Sequence, residues 1–146
     1  MAALSNYLEN KLVDQIFRAQ AYAFPTTLYV ALYTALPTPV TGSGTEVTGG
    51  SYARVALADA LTAWAGTQAA ASVVASTGTS GATSNNAAIT FPAPTAAWGS
   101  IVGFAIYDAA TVGNELFWGA LGVSKTVNSG DAAPSFAAGS LAITFS

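Results

Sequence analysis

Thr27-Leu28-Tyr29-Val30-Ala31-Leu32-Tyr33-Thr34 is dense in β-branched and aromatic residues, apolar on both alternating faces and bounded by Pro25 and Pro37. A strand with two apolar faces needs cover on both sides, so this stretch predicts the central strand of a β-protein. Outward from it, Pro37 to Gly44 is a loop by composition. Glu46 to Thr48, Gly49-Gly50 and Ser51 to Leu57 then read as strand, turn and strand. Two glycines supply the positive φ angles of a type I′ hairpin turn.

The same reading continues to the end of the chain. Ala87 to Phe91 is a short strand ended by Pro92 and Pro94. Ser100 to Tyr107 and Glu115 to Leu121 flank Asp108 to Asn114, which predicts a hairpin with a longer loop. Gly122 to Val127, a turn at Asn128 to Asp131 and Leu141 to Phe145 complete about eight strands. The expected fold is mainly β: an antiparallel, jelly-roll-like β-sandwich in one domain over residues 1–146. No internal repeat suggests a solenoid.

Ahead of the strands, Leu8, Leu12 and Ile16 recur every four residues, with Val13 and Phe17 alongside, and predict an N-terminal amphipathic helix. Asn6 is the expected N-cap, with Glu9 completing a capping box, and Asp14 and Arg18 form a favourable i,i+4 pair. Pro25 biases Phe24 away from helical backbone, which sets the helix at about 6–23. Its stripe has two readings: it covers the chain's own sandwich, or it docks on another chain. Residues 65–86 are a low-complexity run of Ala, Ser, Thr, Gly and Asn in which Val73 and Val74 are the larger apolar anchors. This segment is expected to be an extended loop or arm.

Composition limits the chemistry. With 146 residues, a net charge of −3 and four basic side chains far apart, the chain has no stripe for nucleic acid. It has no cysteine for disulfides or thiolate metal sites, and no histidine for general base catalysis. Apolar residues make up 52 % and charged residues only 8 %, against a usual charged share of about a quarter. Membrane insertion does not explain this, because Pro25, Thr26 and Thr27 break the apolar stretch from Ala19 to Leu36. Glu9 and Asp14 occupy the place of an uncharged signal-peptide core, so a soluble protein made inside the cell is expected.

The carboxylates Glu46, Asp59, Asp108, Glu115 and Asp131 form no recognisable catalytic pair, and Asp108 and Asp131 have simple readings as turn residues. A serine nucleophile would lack a histidine partner, and no glycine-rich loop has phosphate-binding spacing. The expectation is a protein that is not an enzyme, with no catalytic, cofactor-binding or metal residues. Trp118 alternates with Leu116 and Ala120 and is assigned to the core. Trp64 and Trp98 lie beside loops and join Leu8, Leu12, Ile16, Val73 and Val74 as candidate interface residues.

Six stretches in order, Leu4–Leu12, Tyr29–Thr34, Gly44–Arg54, Asn85–Pro92, Phe117–Leu121 and Lys125–Asp131, give the chain its likeness to a known group. In this arrangement it resembles a family of small structural proteins of tailed bacteriophages and prophages labelled tail fiber protein. The resemblance implies a subunit of the virion's outer surface, made in the bacterial cytoplasm. Its implied partners are copies of itself and other virion proteins, either major capsid protein or tail proteins, with no nucleic acid, membrane or cofactor. The first functional expectation is a capsid decoration or cement protein bridging capsid subunits. The second is a tail or tail-fibre component. The third is a glycan-binding module that stacks Trp64 or Trp98 on sugars.

Overall fold

The structure, a computed structural model, describes residues 2–38 and 42–145. Its elements in chain order are β1 (Ala2–Leu4), α1 (Asn6–Phe17), β2 (Thr27–Ala35), β3 (Thr45–Glu46), β4 (Val55–Ala58), β5 (Ala82–Ser84), β6 (Ile89–Thr90), β7 (Gly99–Tyr107), β8 (Glu115–Val127), β9 (Ser135–Phe136) and β10 (Ala142–Thr144). All pairings are antiparallel. The larger sheet runs β1-β8-β7-β2, with β3 and β4 both against the far edge of β2. Two short ladders, β5 with β10 and β6 with β9, form the opposing layer of the sandwich.

β2 is an interior strand of this sheet, paired on both sides, and alternation divides its residues between two interiors. Val30 and Leu32 pack with Phe104 and Ile106 of β7 and with Ile89, Phe91, Leu141 and Ile143 of the opposing layer. Ala31 and Tyr33 face the other way, against Ala105, Leu36, Tyr107 and Trp118. Trp118 is therefore a half-buried residue of this second face, while Leu116 is buried and Ala120 exposed.

The hairpin of β7 and β8 is present with its predicted loop, closed by Asp108, whose carboxylate accepts the Asn114 backbone N–H and side-chain amide at 2.7 Å each. Asp131 likewise accepts the Asn128 N–H at 2.7 Å. The Gly49-Gly50 turn has its expected positive φ, but it does not pair the flanking strands with each other. Gly49, Gly50 and Ser51 take three left-handed residues in succession, with φ of 72°, 56° and 63°. The chain swings out, Trp98 Nε1 donates to the Gly50 carbonyl at 2.9 Å, and β3 and β4 line up end to end along β2.

The helix also differs at both ends. Ser5 is the N-cap in place of Asn6, its hydroxyl accepting the Leu8 N–H at 3.2 Å. The helix stops at Phe17 rather than near Ala23, because the Arg18 and Gln20 N–H groups both close onto the Asp14 carbonyl, at 3.1 and 3.0 Å. Between them Ala19 sits at φ 55°, the position glycine usually fills. An exposed alanine there is strained, so Ala19→Gly is expected to raise stability by about 0.5–1 kcal/mol in urea unfolding. An unchanged midpoint would mean the cap is not held in solution.

Residues 65–86 fold back on their own body. Their side chains bond backbone within the segment: Thr67 Oγ1 donates to Thr77 O at 2.8 Å, Ser80 Oγ to Thr67 O at 2.5 Å, and Thr83 Oγ1 to Ala65 O at 2.7 Å. Asn85, almost wholly buried, donates to the Ala87 and Ala137 carbonyls and accepts the Leu141 N–H. One satisfied amide thus ties this segment to the last strand. β1 and β10, from opposite ends of the sequence, are neighbours.

Candidate functional site

Helix α1 lies against β8, but only its N-terminal half is covered. Residues four apart on a helix with 3.6 residues per turn are offset by about 40°, so the Leu8, Leu12, Ile16 stripe rotates away from the body as it rises. Leu8 is 4 % exposed, Leu12 is half-buried and Ile16 is 66 % exposed. Phe17 is 79 % exposed and Val13 is also exposed, so three large apolar side chains at i, i+3 and i+4 share one outward face. Phe24 is exposed too, held edge-on to Tyr22 at 4.7 Å.

Three charged residues of the body, Glu46, Arg54 and Glu115, do the opposite and turn inward. Arg54 forks onto Glu46 with Nε to Oε1 at 2.9 Å and Nη2 to Oε2 at 2.7 Å. Its remaining Nη1 donates to the Ala109 and Val112 carbonyls, both at 2.8 Å, and its guanidinium lies 3.5 Å from the Tyr107 ring centroid. Glu46 also accepts the Tyr52 hydroxyl at 2.9 Å, and that hydroxyl accepts the Leu32 N–H at 2.9 Å. On the second face Tyr33 donates to Glu115, and the Tyr107 hydroxyl lies 2.5 Å from that of Tyr33. The chain of contacts from Leu32 to Glu115 joins β2, β3, β7, β8 and the 108–114 loop.

Burial raises the pKa of Tyr33 and Tyr52, and carboxylate neighbours raise it further, so both stay protonated as donors. Burial also raises that of Glu115, outweighing the Tyr33 hydrogen bond that lowers it. Its Oε1 is buried with no hydrogen-bond partner among the described residues. A carboxyl whose folded pKa lies above its unfolded value contributes stability at low pH that is lost as pH rises through the folded pKa. Glu115→Gln is therefore expected to flatten the fall in stability as pH rises above the ordinary glutamate pKa. Urea midpoints across that rise check the slope, which a constant loss of one hydrogen bond does not alter.

The residues selected from sequence scatter. Leu8 and Trp98, proposed as interface residues, lie in the chain's own interior, Trp98 only 5 % exposed and edge-on to Tyr52 at 5.3 Å. Leu8 is inward because it is the first apolar residue above the cap, and Trp98 because its N–H reaches the Gly50 turn. Ile16 sits on the open helix face, Val73 and Val74 are exposed on the 65–86 segment, and Trp64 is half-buried beside a groove. Phe17 belongs with Ile16 on exposure; its place beside the stripe was visible, but its outward direction depends on where the helix meets β8.

Among the described residues no group of three acidic side chains converges on a metal-sized site, and no helix is long and apolar enough to cross a membrane. The sandwich is thus braced internally by Arg54, Glu46 and Glu115, and large apolar side chains of α1 turn outward. The family model described as Podophage GP4 fiber I protein gp80 matches residues 3–144, and the chain belongs to this family of phage structural proteins. The match bears out the resemblance seen in the sequence. No curated protein matches the chain.

Proposed function

We propose that the chain is a non-enzymatic subunit of a fibre on the outer surface of a tailed-phage virion. The observation that carries this reading is the family match across nearly the whole chain, to a protein described as a fiber protein. The open face of α1 supports it, since a subunit that assembles with other virion proteins needs a surface that stays uncovered in the single chain. Copies of the same chain are further partners, because repeated modest contacts add up through multivalency. Capsid decoration, which the sequence placed first, is the alternative reading, and the family's description supports the fibre one.

Quantitative mass spectrometry of purified particles tests it against that alternative. A few dozen copies or fewer per particle are expected. Hundreds of copies, at a ratio near that of the major capsid protein, would replace the fibre reading with capsid decoration.

A further inference from the structure

Beside the 65–86 segment a groove of about 450 Å³ and an adjoining hollow of about 210 Å³ share Asp59, Trp64, Thr83 and Phe145. The size of the groove is that of a small-molecule cleft. Its walls carry large apolar side chains. Trp64 is half-buried in it, Phe145 is 48 % exposed at its rim and stacks edge-on against Phe117 at 5.5 Å, and Leu61 projects beside them. The deeper hollow is floored by Leu28, Ile106 and Ile143.

The polar groups are few and have capacity left. Asp59 is exposed; among the described residues it is the only charged one lining either hollow, and its carboxylate has no hydrogen-bond or ion-pair partner there. Thr67 and Thr83 each use their hydroxyl hydrogen on a backbone carbonyl, which leaves oxygen lone pairs as acceptors. The segment that forms one wall is held by these same bonds, so the groove is formed in the unliganded chain.

We propose that this groove binds a neutral sugar ring. A pyranose has an apolar C–H face and a rim of hydroxyls; the aromatic walls take the face and Asp59 accepts from two rim hydroxyls by charge-assisted hydrogen bonds. The alternatives fit less well. An anionic ligand meets the Asp59 charge with no cation among the lining residues, and a lipid chain offers the Asp59 carboxylate no donor. The site is separate from the helix face and does not depend on where in the particle the chain sits.

Saturation-transfer NMR on the full chain, with methyl glycosides of glucose, galactose, mannose, rhamnose and N-acetylglucosamine, tests the proposal. Transfer is expected for at least one of them, strongest at ring C–H protons. Asp59→Asn and Phe145→Ala each alter an exposed side chain, and each is expected to weaken binding about tenfold or more while melting with the wild type. Trp64→Ala should abolish it. No transfer from any of the five sugars, or equal transfer with folded Asp59→Asn and Phe145→Ala, would overturn the proposal. Sialic acid and glucose 6-phosphate, run beside them, are expected to show less transfer, and a preference for either would also overturn it, since the site would then favour the charge it is built to repel. Copy number on the particle is read separately, so failure here leaves the fibre assignment standing.

Discussion

Replacing Arg54 by alanine is expected to cost about 3–4 kcal/mol of folding stability. The Arg54 side chain is 7 % exposed and that of Glu46 is 22 % exposed, so truncating the arginine leaves a largely buried carboxylate without its cation. Two backbone carbonyls of the 108–114 loop lose their donor, and the Tyr107 ring loses its stacked guanidinium. The melting temperature should fall by roughly 10 °C. Hydrogen exchange should quicken first at residues 109–112. Arg54→Lys keeps the charge but not the fork, so it should recover only part of the loss. If Arg54→Ala melted within a degree or two of wild type, the brace would be contributing little beyond its own geometry.

The second large effect falls on assembly and leaves folding alone. Ile16→Lys combined with Phe17→Lys places two good helix formers near the C-terminal end of α1, where cations are favourable. Both positions are mostly exposed, so the isolated chain should unfold within about 0.5–1 kcal/mol of wild type. Incorporation into particles should drop by about tenfold or more if the open helix face is buried against a partner, because two desolvated charges would oppose docking. Normal incorporation would remove α1 from the list of attachment elements. Deleting the first 23 residues is a poorer test, since it also removes β1 from the edge of β8 and Leu8 from the interior.

The parts of the fold legible in the sequence were those fixed by local chemistry. Residues 27–34 carry their two apolar faces openly, and Asp108 with Asn114 announces the β7–β8 loop. What stayed hidden depends on meetings between distant residues. Nothing around Gly49-Gly50 says that both neighbouring strands will bond to β2, because that outcome is set by Tyr52 reaching the Leu32 N–H and Trp98 reaching Gly50. The early end of α1 rests on an alanine in a glycine's conformation, which composition cannot reveal. The 65–86 segment looked like an arm for want of apolar anchors, yet its hydroxyls and the buried amide of Asn85 supply the ties that side-chain packing does not. For the site, Ile16 is exposed and Trp64 is half-buried beside a groove, whereas tryptophan near a loop proved no guide to the exposure of Trp98.

Because β1 and β10 are neighbours, any peptide placed ahead of the first strand or beyond the last leaves the fold at one spot. Labels fused at the two ends would therefore mark a single point on the virion and give position without direction. Direction needs a third mark. The Asn128–Asp131 turn follows the far end of β8, whose residues Phe117 to Gly119 pair with β1, and along an extended strand that is about 25 Å away. A tag inserted there, imaged together with either terminal tag, would give the axis along which each subunit points.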